Sequence, residues 1–342
     1  MHQRAIVYVS CAGDQHITTL ELDQTTGALR ECGRTKVPGT DARASGSLPL
    51  ALAPDHSRLY AGLRAAPWPV ASFAIDPVTG ALTLLSLATL ADSMCYLSVD
   101  ATGRILFSAS YSGAKLAANP IDGNGRAGDV MQVLETPPKA HSAVPSPDNR
   151  FVYAASLGGD VILCQAFDAA TGRLAPAIHI AARTAPGAGP RHLAFGQGGR
   201  TFYVVNELDG TIVTYGRDPA TGALTERQTI ALLAAGVPLP VAAADIHLSP
   251  DGRFLYASER TTDTLNGFTV APADGTLTPL CRVPSEATPR GFRIAPAGRF
   301  LLCAGLASGT IGTYAIEPDG ILVHIHSLPV GAGANWVEII AI

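Results

Sequence analysis

The stretch "SPDGRFLYAS", residues 249–258, decides the fold because most of it recurs along the chain. A Pro/Asp/Gly turn leads into an arginine, two apolar residues and then an aromatic or apolar residue, and "SPDNRFVYAAS" (146–156) repeats this order. Pro, Asp and Gly favour tight connections between strands. The arginine-led signature occurs seven times, at intervals of 46–54 residues, with its arginine at positions 4, 58, 104, 150, 200, 253 and 299.

A second marker, Thr/Asp-Gly-x-Leu, follows each copy of the first. It reads "TGAL" at 26–29, 79–82 and 221–224, "TGRL" at 171–174 and "DGTL" at 274–277, with looser copies "DGNGR" (122–126) and "DGIL" (319–322). Each unit therefore holds four short strands joined by turns, which is typical of a β-propeller blade. The sequence predicts an all-β, seven-bladed β-propeller with four-stranded blades, formed by residues 1–342 as a single domain. The WD dipeptide pattern of WD40 arrays is absent.

The two ends of the chain complement each other. The first unit starts directly at "RAIVY" (4–8) and lacks the strand that precedes the arginine in every other unit, whereas the last unit is followed by a spare segment, "GANWVEIIAI" (333–342). We expect this tail to supply the innermost strand of the first blade, which closes the ring and removes its open sheet edges.

Composition narrows the function classes. With 342 residues, 15% of them charged, and a net charge of −4, the chain has no basic stripe for nucleic acid. No apolar run approaches the roughly 20 residues that span a bilayer, and the N-terminus lacks a secretory signal pattern. The six cysteines are scattered without a CxxC spacing, which favours reduced thiols in a cytoplasmic protein. A closed ring needs no partner chain, so we expect a monomer.

Aligning the units on their leading arginines places chemically unlike residues in one column, at the start of the innermost strand. A structural position should carry similar residues in every copy, but this column reads Leu48, Cys95, His141, Arg191, Ala244 and Arg290, with Asn335 from the tail. A second mixed column follows the next strand and reads Ala12, Arg64, Tyr111, Leu157, Glu207, Arg260 and Leu306. Because the chain runs up one strand and down the next, both columns should meet at one mouth of the central channel.

Each polar residue also has a structural interpretation. Arginines in propellers often form salt bridges between blades, whereas the leading arginines, present in every copy, are expected to be architectural. His192 should point away from Arg191, and His247 aligns with a column that packs between blades. Asp245 is a candidate partner for such a histidine.

The motifs resemble those of the seven-bladed propeller lactonases, the group that contains bacterial 6-phosphogluconolactonase and fungal carboxy-muconate cyclase. The resemblance is carried by more than half of the chain, in the stretches "AHSAVPSPDNRFVYAAS" (140–156), "GAGPRHLAF" (187–195), "YVVNELDGTI" (203–212), "ADIHLSPDGRFLYASER" (244–260) and "PRGFRIAPAGRFLL" (289–302). Two departures flank the predicted pocket: Glu259, where relatives commonly carry Asn, and "SASYSGAKLAANPI" (108–121), where a stretch richer in Asn and Gly is usual.

The resemblance implies a set of site residues and a reaction, the hydrolysis of an anionic sugar lactone. The implied catalytic residues are His141, Arg191, Glu207 and Arg260, and the predicted substrate-binding residues are Arg64, Tyr111, Asn206, His192, His247 and Arg290. Opening a lactone requires attack of water on an ester carbonyl, helped by a base and by a cation beside the oxyanion. Glu207 or His141 would activate the water, and Arg191 and Arg260 would hold the oxyanion and the anionic group of the substrate.

Several alternatives stay open at this point. The substrate is predicted to be 6-phosphogluconolactone, with an aldarate lactone or a muconate-type lactone as the alternative. No G-x-S-x-G elbow indicates a serine esterase. No cofactor is predicted, although a divalent metal held by residues of distant blades is compatible with the sequence. A non-catalytic binding scaffold should expose an aromatic, apolar face, and only 6% of this chain is aromatic.

Overall fold

A computed structural model describes residues 4–42, 46–233 and 240–342. Its strands form seven separate antiparallel sheets, arranged as the blades of a seven-bladed β-propeller. The predicted fold class is confirmed. The strands of each blade, from the channel outward, are Ala334–Ala341, Ala5–Cys11, His16–Leu22 and Leu29–Lys36 (blade 1); Leu50–Leu52, Arg58–Gly62, Pro69–Ile75 and Leu82–Thr89 (blade 2); Met94–Val99, Ile105–Ser110, Lys115–Pro120 and Gln132–Glu135 (blade 3); Ala140–Pro145, Phe151–Ser156, Val161–Asp168 and the outer pieces Arg173–Leu174 and Ile180–Arg183 (blade 4); Pro190–Phe195, Thr201–Asn206, Thr211–Arg217 and Leu224–Ala231 (blade 5); Ala243–Leu248, Phe254–Glu259, Thr264–Val270 and Leu277–Pro284 (blade 6); and Pro289–Ile294, Phe300–Gly305, Thr310–Ile316 and Leu322–Pro329 (blade 7).

The C-terminal strand closes the ring as predicted. Ala334–Ala341 pairs antiparallel with Ala5–Cys11, so that the innermost strand of blade 1 comes from the end of the chain. Helical structure within the described ranges is confined to a short 3₁₀ turn, Gln197–Gly199, and none of it is long enough to cross a membrane.

The repeated arginine and tyrosine fasten most blades to the next one. Five leading arginines donate hydrogen bonds to carbonyls in the turn between the third and fourth strands of the following blade; Arg253, for example, reaches Pro318 at 3.1 Å. In five units a tyrosine two to four residues after the arginine donates to the glycine carbonyl of the corresponding turn, as Tyr256 does to Gly320 at 2.8 Å. Seven hydrophobic clusters, one at each junction between blades, complete the packing. The two sequence markers are therefore the two halves of one inter-blade contact.

The glycine of that turn is required by its backbone and by its neighbour. Gly320 has a φ of +87°, and a methyl group at this position would collide with the ring of Phe254 in the preceding blade. We expect Gly320→Ala to lower the free energy of unfolding by about 2 kcal/mol, from backbone strain and overpacking. Urea denaturation measures this. The control is Gly33→Ala, whose Cβ would meet no atom within 4 Å; equal stability of the two variants would contradict the fastening role.

Candidate active site

The first mixed column of the sequence is a ring of β-bulges. In six blades the innermost strand carries one residue more than its partner at this point, because the register shifts between the residues on either side. A bulge redirects a side chain and bends the strand. The residues in or beside these bulges are Cys95, His141, Arg191, Ala244, Arg290 and Asn335. Blade 2 differs because its innermost strand begins at Leu50. Its residue in this column, Leu48, therefore precedes the strand and is not part of a bulge.

Glu207 lies at the centre of the candidate site, where it joins two arginines from different blades. Its Oε2 atom is 2.8 Å from Nε of Arg191 and 3.0 Å from a terminal nitrogen of Arg260. Arg191 is 1% exposed and also donates to the carbonyl of Ala244. Arg260 donates to the carbonyl of Ala242 at 3.0 Å. Both mixed columns thus meet at one mouth of the channel.

The charges at this mouth do not balance. Burial would raise the pKa of Glu207, but the guanidinium groups of Arg191 and Arg260 outweigh this effect and lower it, so Glu207 is ionised. Burial, followed by repulsion from Arg260, lowers the pKa of Arg191 to about 10. Burial and repulsion from Arg191 and Arg260 lower the pKa of Arg290 to about 9. The carboxylate of Glu207 is therefore shared by the guanidinium groups of Arg191, Arg260 and Arg290.

Arg290 and Arg64 complete the cationic part of the mouth. Among the described residues, Arg290 has neither an ion pair nor a hydrogen-bond partner for its side chain, although burial and the charge of Arg191 disfavour its cation. Arg64 is held by neutral groups only, with Nε at 3.2 Å from the Ser93 hydroxyl and a terminal nitrogen at 3.1 Å from the Ser47 hydroxyl. These two arginines are the groups most available to an anionic ligand.

His141 is a neutral imidazole buried between aromatic rings. Its ring centroid lies 5.8 Å from that of Tyr111 and 5.3 Å from that of His192, both in edge-on arrangements. Burial first, then the charge of Arg191, the neighbouring His192 and the charges of Arg290 and Arg260, hold its pKa well below the ordinary value. Its Nδ1 atom is buried and has no hydrogen-bond partner within the described part of the chain. His141 can therefore accept a proton at neutral pH without first losing one.

His192 and His247 lie in a polar network that is centred on Asp245. Nδ1 of His192 is 2.7 Å from Oδ1 of Asp245, and Nε2 of His247 is 3.2 Å from Oδ2. The network continues through Arg293, which bonds to Nδ1 of His247 at 3.2 Å and pairs with Glu338 at 2.7 Å. The predicted partnership of Asp245 with a histidine is thus confirmed, and the substrate-binding role of His192 and His247 stays a prediction.

The side chains of two further residues, Asn206 and Glu259, form hydrogen bonds within their own blades. Asn206 donates from Nδ2 to the Thr211 hydroxyl at 2.8 Å across its hairpin. Glu259, the departure from the related sequences, is fully buried and accepts bonds from the backbone amides of Ala242, Thr261 and Thr262. Glu259 therefore holds the loop that begins with Arg260. The substrate-binding role of Asn206 stays a prediction.

The sequence did not identify Arg293 and Glu338 as part of this network. Both lie in innermost strands, of blade 7 and blade 1. The sequence indicated only that the C-terminal tail completes blade 1, and this closure is what brings Glu338 next to Arg293. No group of three or more His, Cys, Asp or Glu side chains suited to a metal ion occurs among residues 4–42, 46–233 and 240–342.

Comparison with known proteins agrees with this architecture. The sequence model of the family "Lactonase, 7-bladed beta-propeller" matches residues 6–338. The chain is 39% identical to 6-phosphogluconolactonase of Pectobacterium carotovorum and 37% identical to that of Serratia proteamaculans; the first alignment covers 98% of this chain and 99% of the relative, the second 99% of both. The structure of the periplasmic gluconolactonase of Pseudomonas aeruginosa superposes with a TM-score of 0.87 at 29% identity, covering 99% of both chains. The chain therefore belongs to the family of seven-bladed β-propeller lactonases.

Proposed function

We propose that this protein hydrolyses the ring ester of an anionic sugar lactone, with 6-phosphogluconolactone as the leading substrate. One observation carries the anionic part: the Arg290 guanidinium faces Arg191 and Arg260 without an acidic partner among the described residues. Guanidinium groups bind phosphate and carboxylate oxygens in matching geometry. The lactone part is supported by the family and by the activities in the names of the relatives.

The reaction follows from the neutral state of His141. Water attacks the ester carbonyl, and Nε2 of His141 takes its proton while the carbonyl oxygen becomes an oxyanion beside the site arginines. The tetrahedral intermediate then collapses, the carbonyl re-forms, and the bond to the ring oxygen breaks. His141 returns the proton to that oxygen, which leaves as a sugar hydroxyl. One water is consumed, and no redox partner is needed.

Glu207 keeps the arginines in place in this scheme. Its Oε2 atom forms ion pairs with Arg191 and Arg260, and these two charges lower its pKa, so Glu207 is a weaker proton acceptor than an unpaired carboxylate. The carboxylate of Glu207 would also orient the attacking water. Arg64 and Arg290 would then bind the phosphate, with Tyr111 at the edge of the pocket.

The pH dependence of the rate tests the assignment of the base. A base works unprotonated, so activity falls as the pH drops through its pKa; because the pKa of His141 is lowered, the acid limb of kcat/KM should lie below pH 6.5. A bound anion offsets the positive field and raises this pKa, so the acid limb of kcat for the phosphorylated lactone should lie at a higher pH than that of its kcat/KM.

Gluconolactone is the control, because it carries no charge. For this substrate the acid limb of kcat should nearly coincide with the acid limb of kcat/KM. Gluconolactone also avoids the phosphate group, which itself titrates near pH 6. Initial rates over about pH 4.5–8 measure both parameters. An acid limb of kcat/KM at or above pH 6.5 with gluconolactone would remove His141 from the role of base.

A panel of fresh lactones tests the proposed activity. It contains 6-phosphogluconolactone, gluconolactone, a glucarolactone, a galactarolactone and a muconolactone, each corrected for spontaneous hydrolysis and assayed by proton release with and without EDTA. We expect the phosphorylated lactone to be turned over fastest, without loss in EDTA. Preference for a dicarboxylic lactone would make the arginines a carboxylate site, and no turnover of any member would favour a binding scaffold.

We further propose that the protein is a monomer in the cytoplasm. The six cysteines, none of which forms a disulfide, support the cytoplasmic location.

A further inference from the structure

Two buried ring nitrogens of neighbouring histidines have no hydrogen-bond partner among the described residues. Nδ1 of His141 and Nε2 of His192 are both buried, and neither forms a hydrogen bond with any residue that the structure describes. The two ring centroids are 5.3 Å apart. Two imidazoles joined by an N–H···N hydrogen bond of ordinary length have their centroids about 5 Å apart. The rings are thus already at bonding separation, and a rotation of one ring would join the two nitrogens.

The surroundings of Asp245 determine which nitrogen of His192 carries the proton. Oδ1 of Asp245 accepts from Nδ1 of His192 at 2.7 Å and from the amide of Ile246 at 3.0 Å. Oδ2 accepts from the amide of Phe292 at 3.1 Å and from His247. Burial opposes the ionisation of Asp245, but these partners hold its pKa well below the ordinary value, so it can only accept. His192 must donate through Nδ1, which leaves a lone pair on Nε2.

His192 is held rigidly, whereas His141 has more freedom. The ring of Tyr96 packs edge-on against His192 at 5.2 Å, and the ring of Trp336 lies at 6.0 Å. Together with the bond to Asp245, these contacts fix the plane of His192. His141 has ring contacts with Tyr111 and His192 but no side-chain hydrogen bond among the described residues. His141 is therefore the ring that can turn.

A relay would solve an electrostatic problem of the proposed base. Protonated His141 would place a buried cation among Arg191, Arg260 and Arg290, which is unfavourable in a site of low polarity. His192 also has Arg191 nearby, but it bonds directly to the carboxylate of Asp245. A proton passed from His141 to His192 would turn that neutral hydrogen bond into a charged pair.

We propose that His192 and Asp245 are positioning residues that act through His141, forming the relay Asp245–His192–His141 behind the catalytic mouth. This inference rests on the proposed lactone hydrolysis. Nδ1–H of His141 donates to Nε2 of His192, which directs the lone pair on Nε2 of His141 toward the attacking water. When that water loses a proton to Nε2 of His141, the bond between Nδ1 and its proton breaks and an N–H bond forms at Nε2 of His192. Both transfers reverse as the ring oxygen leaves with the proton.

The groups that bear on the titration of this relay come from several blades. Burial and the charges of Arg191, Arg290 and Arg260 lower the pKa of His141. Burial and Arg191 lower the pKa of His192 to about 4, and Asp245 opposes this shift. Tyr96, whose pKa is raised by burial, stays neutral. Changes confined to Asp245 and His192 should therefore move the acid limb of kcat while the arginines remain in place.

Kinetics of two variants test the relay. In Asp245→Asn and in His192→Phe, we expect kcat for 6-phosphogluconolactone to fall by at least about tenfold, with KM unchanged within about twofold. The acid limb of kcat should move to lower pH, because His141 loses the group that stabilises its proton. Tyr96→Phe is the control: it keeps the ring that packs on His192 and changes no member of the relay, so the acid limb should stay in place.

Nitrogen NMR of protein with labelled histidine provides a readout that does not need turnover. We expect His192 to carry its proton on Nδ1, and addition of 6-phosphogluconate, the product, to convert its Nε2 into a hydrogen-bond acceptor. A proton on Nε2 of His192 in the wild type would overturn the relay, and so would variants whose acid limb is unchanged. If the wild type opened no lactone, the proposed function would fail on its own, and the tautomer of His192 would still decide whether the pair is arranged as inferred.

Discussion

We expect His141→Asn to lower kcat for 6-phosphogluconolactone by about 10²–10⁴-fold, the contribution of a general base. Asparagine keeps a polar group of similar reach but has no atom that accepts a proton at neutral pH. Because His141 forms no side-chain hydrogen bond among the described residues, its replacement should change stability little. Initial rates at saturating substrate measure the effect, and urea denaturation checks that the variant is folded.

Comparison with Glu207→Gln assigns the base. If Glu207 only holds Arg191 and Arg260, the glutamine variant should retain more kcat than His141→Asn at saturating substrate. A loss below about tenfold in His141→Asn, together with loss of turnover in Glu207→Gln, would transfer the role of base to Glu207.

Glu207→Gln is also expected to lower the free energy of unfolding by about 3 kcal/mol. The substitution preserves shape but removes the one carboxylate paired with Arg191, whose side chain is 1% exposed, and with Arg260. Breaking a buried ion pair on one side leaves an uncompensated charge, which costs about 3–5 kcal/mol. Equilibrium denaturation in urea measures the loss.

Inorganic phosphate should restore part of that stability. An anion bound among Arg191, Arg260 and Arg290 replaces the missing charge, and a ligand that binds only the folded state stabilises it. Sodium chloride at equal ionic strength separates binding from screening. The matched control is Glu31→Gln, which removes an exposed ion pair with Arg34 and should cost about 0.5 kcal/mol or less. If phosphate stabilised Glu207→Gln no more than chloride did, the mouth would not be the anion site that we propose.

The fold was predictable from the sequence because its determinants are repeated. The leading arginine, a tyrosine two to four residues later and the Thr/Asp-Gly turn form the contact at most junctions between neighbouring blades, so these residues recur along the chain. The site was predictable for the opposite reason. A column that breaks the repeat, with His141, Arg191 and Arg290, proved to lie in the bulges that redirect side chains toward the mouth.

Other features depend on contacts that no repeat describes. Glu259 departs from the related sequences next to the predicted pocket, yet its carboxylate is used by backbone amides of its own loop. His192 and Asp245 occupy the same alignment column in neighbouring blades, and their pairing joins the two blades at one level of the ring. A column shows which positions are equivalent but not which of them make contact, so the charge network required the structure.

The closing strand has a consequence for how this molecule can be rearranged. Because Ala5 pairs with Ala341 and the amide of Ile342 bonds to the carbonyl of Arg4 at 2.9 Å, the two ends of the described chain are neighbours in one sheet. An apolar cluster fills every junction around the ring, including that between the last blade and the first. The polypeptide could therefore be joined at its present ends and reopened in the outer turn between two other blades, and the permuted chain would contain the same ring with a different starting point.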